Sequence, residues 1–166
     1  MSAPTKEHAN HYSSSANEKV SVEKPCRSCT DFKTWMKLKG KSTEGKAIDE
    51  KHLSTCPLDK NELGRNTWSF LHTMAGYYPR TPSVQEKLNM TQFMQLFAQF
   101  YPCDYCAKDM RNDLKRSPPD VSSQDNFSQW LCRLHNTVNK KLGKSEFDCR
   151  QVNERWRDGW KDGSCG

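Results

Sequence analysis

Residues 127–143, FSQWLCRLHNTVNKKLG, carry the clearest fold signal in the chain. Phe127, Leu131, Leu134, Val138 and Leu142 recur in steps of 4, 3, 4 and 4, the spacing that keeps apolar side chains on one face of an α-helix. Gly143 follows the last of them, where a helix C-terminus favours a residue free to turn left-handed. Towards the N-terminus, a helix is expected over residues 103–115, opened after Pro102 and closed by Pro118-Pro119. Before it, Thr81-Pro82 offers a cap followed by proline at the first helical position, and Ser83 with Glu86 a capping box. Val84, Leu88, Phe93, Phe97 and Phe100 then predict one buried face. Another helix is predicted over residues 62–78, with Leu63, Trp68, Leu71 and Ala75 near helical spacing and a stop at Pro79. A short fifth turn is expected over residues 149–156. No window alternates with period two. The predicted class is all-α: a four-helix bundle with a short fifth helix over residues 56–166.

Residues 1–55 read instead as a flexible arm. They hold 16 residues of the hydrophobic set, against 40 in residues 56–166. The stretch 37–51, KLKGKSTEGKAIDEK, has the composition of a solvated linker. One island, 26–38 (CRSCTDFKTWMKL), places Phe32, Trp35 and Met36 on one face of a helical turn or two. Across all 166 residues the mean hydropathy is −0.99, too polar for one filled core. No run approaches the about 20 apolar residues of a membrane span, which excludes a transmembrane protein. The net charge of +6 comes without the dense Lys/Arg runs of a nucleic-acid binder.

Residues 1–22 mix Lys6, Glu7, Glu18 and Lys19 with small polar residues. They show neither the apolar segment of a secretory signal nor the Arg-rich, acid-poor pattern of a mitochondrial transit peptide. Yet eight cysteines are many for a reducing compartment. The expectation is a protein of oxidising habit with no ordinary address for an oxidising compartment.

Two cysteine pairs have CxxC spacing, Cys26/Cys29 (CRSC) and Cys103/Cys106 (CDYC). In a helical context this spacing sets the sulfurs about one turn apart, within reach of a disulfide. Pro102 puts the second pair at a helix start, where the partial positive charge favours a thiolate and makes a better redox couple. Two such pairs also fit a four-cysteine zinc site or inert staples, although their wide separation is unlike a zinc knuckle. A Cys132–Cys149 bridge would staple the short fifth helix to the bundle. Cys56 and Cys165, solitary at the two ends of the compact region, suit either an end-to-end or an intermolecular disulfide. His72, His135, Trp68, Trp130, Trp156 and Trp160 are consistent with ordinary core and surface positions. His135, Asn136, Asn139, Lys140, Lys141 and Lys144 beside tryptophans also suit a nucleotide, its rings on the aromatics and its phosphates on the cations.

Three motifs carry a resemblance: GRNTWSFLH at 64–72, YPCDYC at 101–106 and CRLHNTVNKKLGK at 132–144, followed by Arg155-Trp156. Together they resemble the Erv/ALR flavin-linked sulfhydryl oxidases, and within them the mitochondrial members. The resemblance covers residues 56–166, and CRSC with Asp31-Phe32-Lys33-Thr34-Trp35 extends it into the arm. A non-catalytic, disulfide-stapled helical binding module is the competing reading.

The resemblance implies a helical bundle cradling FAD beside a disulfide. Cys103 would be the outward sulfur that exchanges with incoming thiols and Cys106 the inner one beside the flavin. Cofactor contacts would fall on Gly64, Arg65, Trp68, His72 and Tyr77 or Tyr78, then on Cys132, His135, Asn136, Val138, Asn139, Lys141 and Lys144, and on Arg155 and Trp156. Cys132–Cys149 would be structural, Cys56 and Cys165 would link a homodimer, and Cys26/Cys29 would be a shuttle pair. The implied partners are protein dithiols, notably the import oxidoreductase of the mitochondrial intermembrane space, with cytochrome c or oxygen as acceptor. The implied location is that same space, with a cytosolic pool allowed.

Overall fold

The computed structural model describes residues 27–31, 34, 37 and 56–165. Proline and capping chemistry cut its main part into four helices: α1 (Lys60–Gly76), α2 (Val84–Phe100), α3 (Asp104–Arg116) and α4 (Gln124–Lys141). A 3-10 turn, Cys149–Gln151, and a π-helical turn, Glu154–Asp158, come after α4. There is no strand among the described residues, so the all-α reading holds.

α1 starts two residues earlier than its spacing indicated, because Asp59 caps it. Asp59 Oδ1 accepts from the Asn61 and Glu62 amides at 2.8 and 2.9 Å, while Glu62 accepts from the Asp59 amide at 3.0 Å. At α2 the two cap candidates are decided in favour of Ser83, whose hydroxyl accepts from the Glu86 amide; Thr81 is not the cap and Pro82 lies before it. α4 starts three residues before its apolar stripe, on Ser123, and ends as expected with Gly143 at φ 66°.

α1 packs on α4 and α2 on α3. One cluster joins all four: Leu71, Ala75, Met94, Ala98, Leu114, Phe127, Trp130, Leu131 and Leu134, with Tyr78 after α1. Each large member contributes roughly 1.5–3 kcal/mol of burial. Three polar side chains bond the backbone around this cluster. Trp130 Nε1 donates to the Ser117 carbonyl at 3.2 Å, Tyr78 Oη to the Val121 carbonyl at 3.2 Å, and Arg111 reaches from α3 to the Ala98 carbonyl at 3.0 Å.

The predicted buried face of α2 needs correction. The row that meets the core is Met90, Met94 and Ala98 at i, i+4 and i+8, flanked by the half-buried Phe93 and Phe97. Val84, Leu88 and Phe100 turn away from that row and are exposed.

The C-terminal turns are held against α1 and α4. Cys132–Cys149 is a disulfide across 17 residues, a loop whose closure contributes roughly 3 kcal/mol. Asn136 clamps the same segment, donating to the Phe147 carbonyl at 2.8 Å and accepting its amide at 2.9 Å. Arg157 and Asn153 both bond the Gln124 side chain, at 3.0 Å each. Gly76 leaves space for this packing, since a Cβ there would lie 3.3 Å from the Cβ of Arg157.

Of the arm, residues Arg27–Cys29 form a 3-10 turn packed on α1 and α3, and the Lys60 amide donates to the Thr30 carbonyl at 3.2 Å. Asp31 caps the next turn by accepting from the Thr34 amide and hydroxyl, and Thr34 and Lys37 are helical. Phe32, Trp35 and Met36 of the expected apolar island, nearly all of the expected linker, and Cys26 lie outside the described residues.

Candidate active site

A cavity of about 720 Å³ opens between α1, α3, α4 and the π-helical turn. That size accommodates an organic ligand of cofactor dimensions. α1 lines it with Gly64, Arg65 and Trp68; α4 and the loop after it with His135, Val138, Asn139, Lys141 and Lys144; the π turn with Arg155 and Trp156. α3 contributes Cys106, Asp109, Met110 and Asp113, which at i, i+3, i+4 and i+7 form one helical face. Cys29 of the arm lines the same cavity.

The aromatic part of the wall is two stacked pairs joined by a hydrogen bond. Trp68 lies on His135 at 4.0 Å between ring centroids and 7° between planes, and Trp156 on His72 at 4.9 Å and 6°. His72 Nε2 is 3.0 Å from His135 Nδ1. Both imidazoles are held neutral at physiological pH. Burial, then the neighbouring His135 and Arg155, lowers His72 from 6.5 to about 3. Burial, then Lys144, lowers His135 to about 4. Arg155 also sits over the Trp156 ring at 4.5 Å, a cation–π contact that holds the turn's guanidinium at the cavity.

Cys103 and Cys106 are bonded to each other at the start of α3. Cys103 is the N-cap, and its sulfur accepts the Cys106 amide at 3.3 Å. Cys106 faces the cavity, as expected of the inner sulfur. The expectation that Cys103 is the outward sulfur meets a different geometry: Cys103 is 1 % exposed. Its position as helix cap turns it into the protein, and the arm's 3-10 turn packs on the same helix.

Several residues expected at the cofactor are outside the cavity's lining or have their polar groups engaged within the chain. His72 lies behind His135 rather than on the cavity surface. Tyr77 is the exposed C-cap of α1, and Tyr78 belongs to the core. Cys132 is occupied by its disulfide, and Asn136 by the backbone of Phe147. Lys141 reaches the cavity with its ammonium already committed to Asp109 and Asp113. Burial tends to lower its pKa, but the bonds to the two carboxylates outweigh burial and raise it. Cys56 and Cys165 are free thiols within the chain, half-buried and exposed respectively.

The sequence reading passed over Asp109, Met110 and Asp113. Their signal was present: counted from Cys106, they recur at helical spacing on the face that carries the reactive sulfur.

The residues present fit a flavin nucleotide. Trp68, His135 and Trp156 offer flat rings for stacking, while Arg65, Lys144 and Arg155 offer cations for a diphosphate. Asn139 adds a polar side chain to the same wall.

Known proteins resemble this chain in sequence and in fold. The profile of the Erv1/Alr family matches residues 65–157. The mitochondrial FAD-linked sulfhydryl oxidase ERV1 of Saccharomyces cerevisiae is 36 % identical over 84 % of this chain and 86 % of its own. The FAD-linked sulfhydryl oxidase ERV1 of Arabidopsis thaliana is 46 % identical, and this match spans 64 % of the chain but only 56 % of the plant protein. Among solved structures, the yeast Erv1 core superimposes with a TM-score of 0.64 at 40 % identity, covering 72 % of this chain and 98 % of the core. The FAD-binding domain of Saccharomyces cerevisiae Erv1 gives a TM-score of 0.61 at 43 % identity, covering 63 % of this chain and the whole domain.

Proposed function

The chain belongs to the Erv1/Alr family, and from that premise we propose that it is an FAD-dependent thiol oxidase that makes disulfides in protein thiols and passes the electrons to oxygen or cytochrome c. The observation that carries the reading is the Cys103–Cys106 disulfide at the wall of an aromatic and cationic cavity, with Cys106 on the cavity side.

FAD, when bound, supplies a two-electron acceptor beside Cys106. Trp68, His135 and Trp156 would hold its rings, and Arg65, Lys144 and Arg155 its phosphates. The chain's own chemistry is thiol–disulfide exchange. A substrate dithiol attacks the arm disulfide at Cys26/Cys29, forming a mixed disulfide that its second thiolate resolves. The substrate leaves oxidised and the arm holds two thiols. The arm dithiol then reduces Cys103–Cys106 by the same pair of exchanges. Cys29 is disulfide-bonded and lines the cavity that Cys106 faces, which supports this order. The burial of Cys103 makes the arm, rather than a bulky protein, the natural partner for the inner pair.

Residues 1–55 act as a separate arm and residues 56–166 as the oxidase domain. The free thiols of Cys56 and Cys165 join two chains into a homodimer. The mitochondrial intermembrane space is the working compartment, where the import oxidoreductase that oxidises cysteine-rich proteins is the donor.

A visible spectrum of the purified protein tests the core of this reading. A flavin band that bleaches on anaerobic addition of a dithiol and returns with air is expected. A colourless protein that fails to take up FAD would overturn it.

A further inference from the structure

His72 and His135 share one hydrogen bond, and the proton in it has two possible owners. If His135 Nδ1 donates, neutral His72 must carry its own proton on Nδ1, and that atom is buried with no partner. A sealed N–H without an acceptor is rare and costly. If His72 Nε2 donates instead, His72 Nδ1 is a bare lone pair, the cheaper orphan. His135 must then keep its proton on Nε2. Both rings are clamped by their tryptophan partners, at 4.0 and 4.9 Å between centroids, so neither turns over without unstacking. His135 lines the cavity and His72 does not. Among the described residues, no other hydrogen bond is made by the His135 ring.

We propose that His72 is a positioning residue: its Nε2–H fixes His135 as the Nε2–H tautomer, so that the imidazole on the cavity wall offers a hydrogen-bond donor to an acceptor atom of the bound flavin nucleotide. The ligand side rests on the FAD reading above; the tautomer is a property of the chain by itself. His72 thereby reads a polarity into the site through His135. The residue selects ligands that present an acceptor at that wall and disfavours those presenting a donor.

The test is nitrogen NMR of protein labelled with ¹⁵N-histidine, first free of FAD and then loaded. In the unsubstituted protein, His135 is expected as the Nε2–H tautomer in both states. His72→Gln places an amide donor near the lost Nε2–H and is expected to keep that tautomer, with FAD affinity within about threefold. His72→Phe keeps a flat ring for Trp156 and removes the orphan nitrogen, so folding is preserved. It is expected to leave His135 as a mixture of tautomers and to weaken FAD binding about tenfold. An Nδ1–H tautomer of His135 in the unsubstituted protein would overturn the proposal. So would a His72→Phe variant that keeps the pure Nε2–H tautomer or binds FAD like the parent. A protein that never takes up FAD would sink the oxidase reading, while the FAD-free spectra would still decide the tautomer.

Discussion

Lys141 Nζ lies 2.8 Å from Oδ2 of Asp113, a carboxylate only 4 % exposed, and this contact ties the end of α4 to the helix that presents Cys106. Asp109 adds two more bonds, at 2.8 and 2.9 Å, and Arg116 approaches Asp113 from the other side. A cation between two carboxylates is a structural bolt more than a phosphate ligand. It links α4, which carries His135, to the helix that carries the redox disulfide. The polar stripe of α3, rather than apolar packing alone, therefore positions the site.

Removing the bolt has a graded cost. Lys141→Met should destabilise the protein by about 1–2 kcal/mol, because Asp113 stays buried with Arg116 as its remaining partner. Asp109→Asn should cost under about 1 kcal/mol, as its group is more exposed. Urea unfolding of the FAD-free protein measures both. Equal and negligible effects would show that the helices hold their spacing by apolar packing alone.

The apolar stripe of α4 was legible in the residues alone. Phe127, Leu131 and Leu134 announced α4 because a buried stripe must repeat at the helical period, and the structure buries all three. The cap of α1 was missed because Asp59 precedes a weakly apolar turn, and its role depends on Glu62 bonding back to its amide. Val84, Leu88 and Phe100 misled for a different reason. Spacing says which side chains share a face, but not which face a neighbouring helix covers. At the site, residue type carried Cys106, Trp68 and His135 to the cavity. It could not show that His72 acts from behind His135, that Asn136 spends its amide on Phe147, or that Lys141 is already paired. Those facts depend on partners distant in the chain.

The two cysteine pairs should separate by substrate. Cys106→Ala should abolish dithiol oxidation of every kind, since the disulfide at the start of α3 can no longer form. Replacing Cys26 and Cys29 together by Ala should leave oxidation of dithiothreitol within about twofold and slow oxidation of a reduced protein about tenfold or more, because the small reagent needs no relay. Oxygen consumption with each substrate measures the split. Equal loss of both activities in the arm variant would contradict the relay.

Two of the clamps on the segment that carries Arg155 and Trp156 are adjacent, the Cys132–Cys149 bridge and the Asn136 side chain. Opening Cys132–Cys149 by a double Ser substitution should cost about 3 kcal/mol, and Asn136→Ala about 1–3 kcal/mol through the unpaired Phe147 amide and carbonyl. Both lesions should also weaken FAD binding, since Trp156 lies in the turn that follows the residues they hold. Thermal melts with and without FAD would show it as a smaller cofactor-induced shift in each variant.

Acid should weaken the fold through the histidine pair before the carboxylates titrate. His72 and His135 have native pKa values lowered from 6.5 to about 3 and about 4, first by burial, then by cationic and imidazole neighbours. A lowered histidine pKa means that the unfolded chain binds the proton and the folded one refuses it. Above pH 6.5 both states are neutral at these rings, and the pair adds no slope. Below it, stability falls with pH by up to about 1.4 kcal/mol per unit for each histidine. His135 stops contributing near pH 4, where it protonates in the folded protein, and His72 near pH 3. Urea midpoints of the FAD-free protein between pH 7.5 and 4.5 should therefore be flat at the neutral end and drop steadily below 6.5. In His72→Phe the slope between pH 6 and 5 should fall to about half, because one of the two refusing groups is gone. A parent protein whose midpoint does not move until the carboxylates protonate would mean that water reaches these rings and that the stacked wall is open.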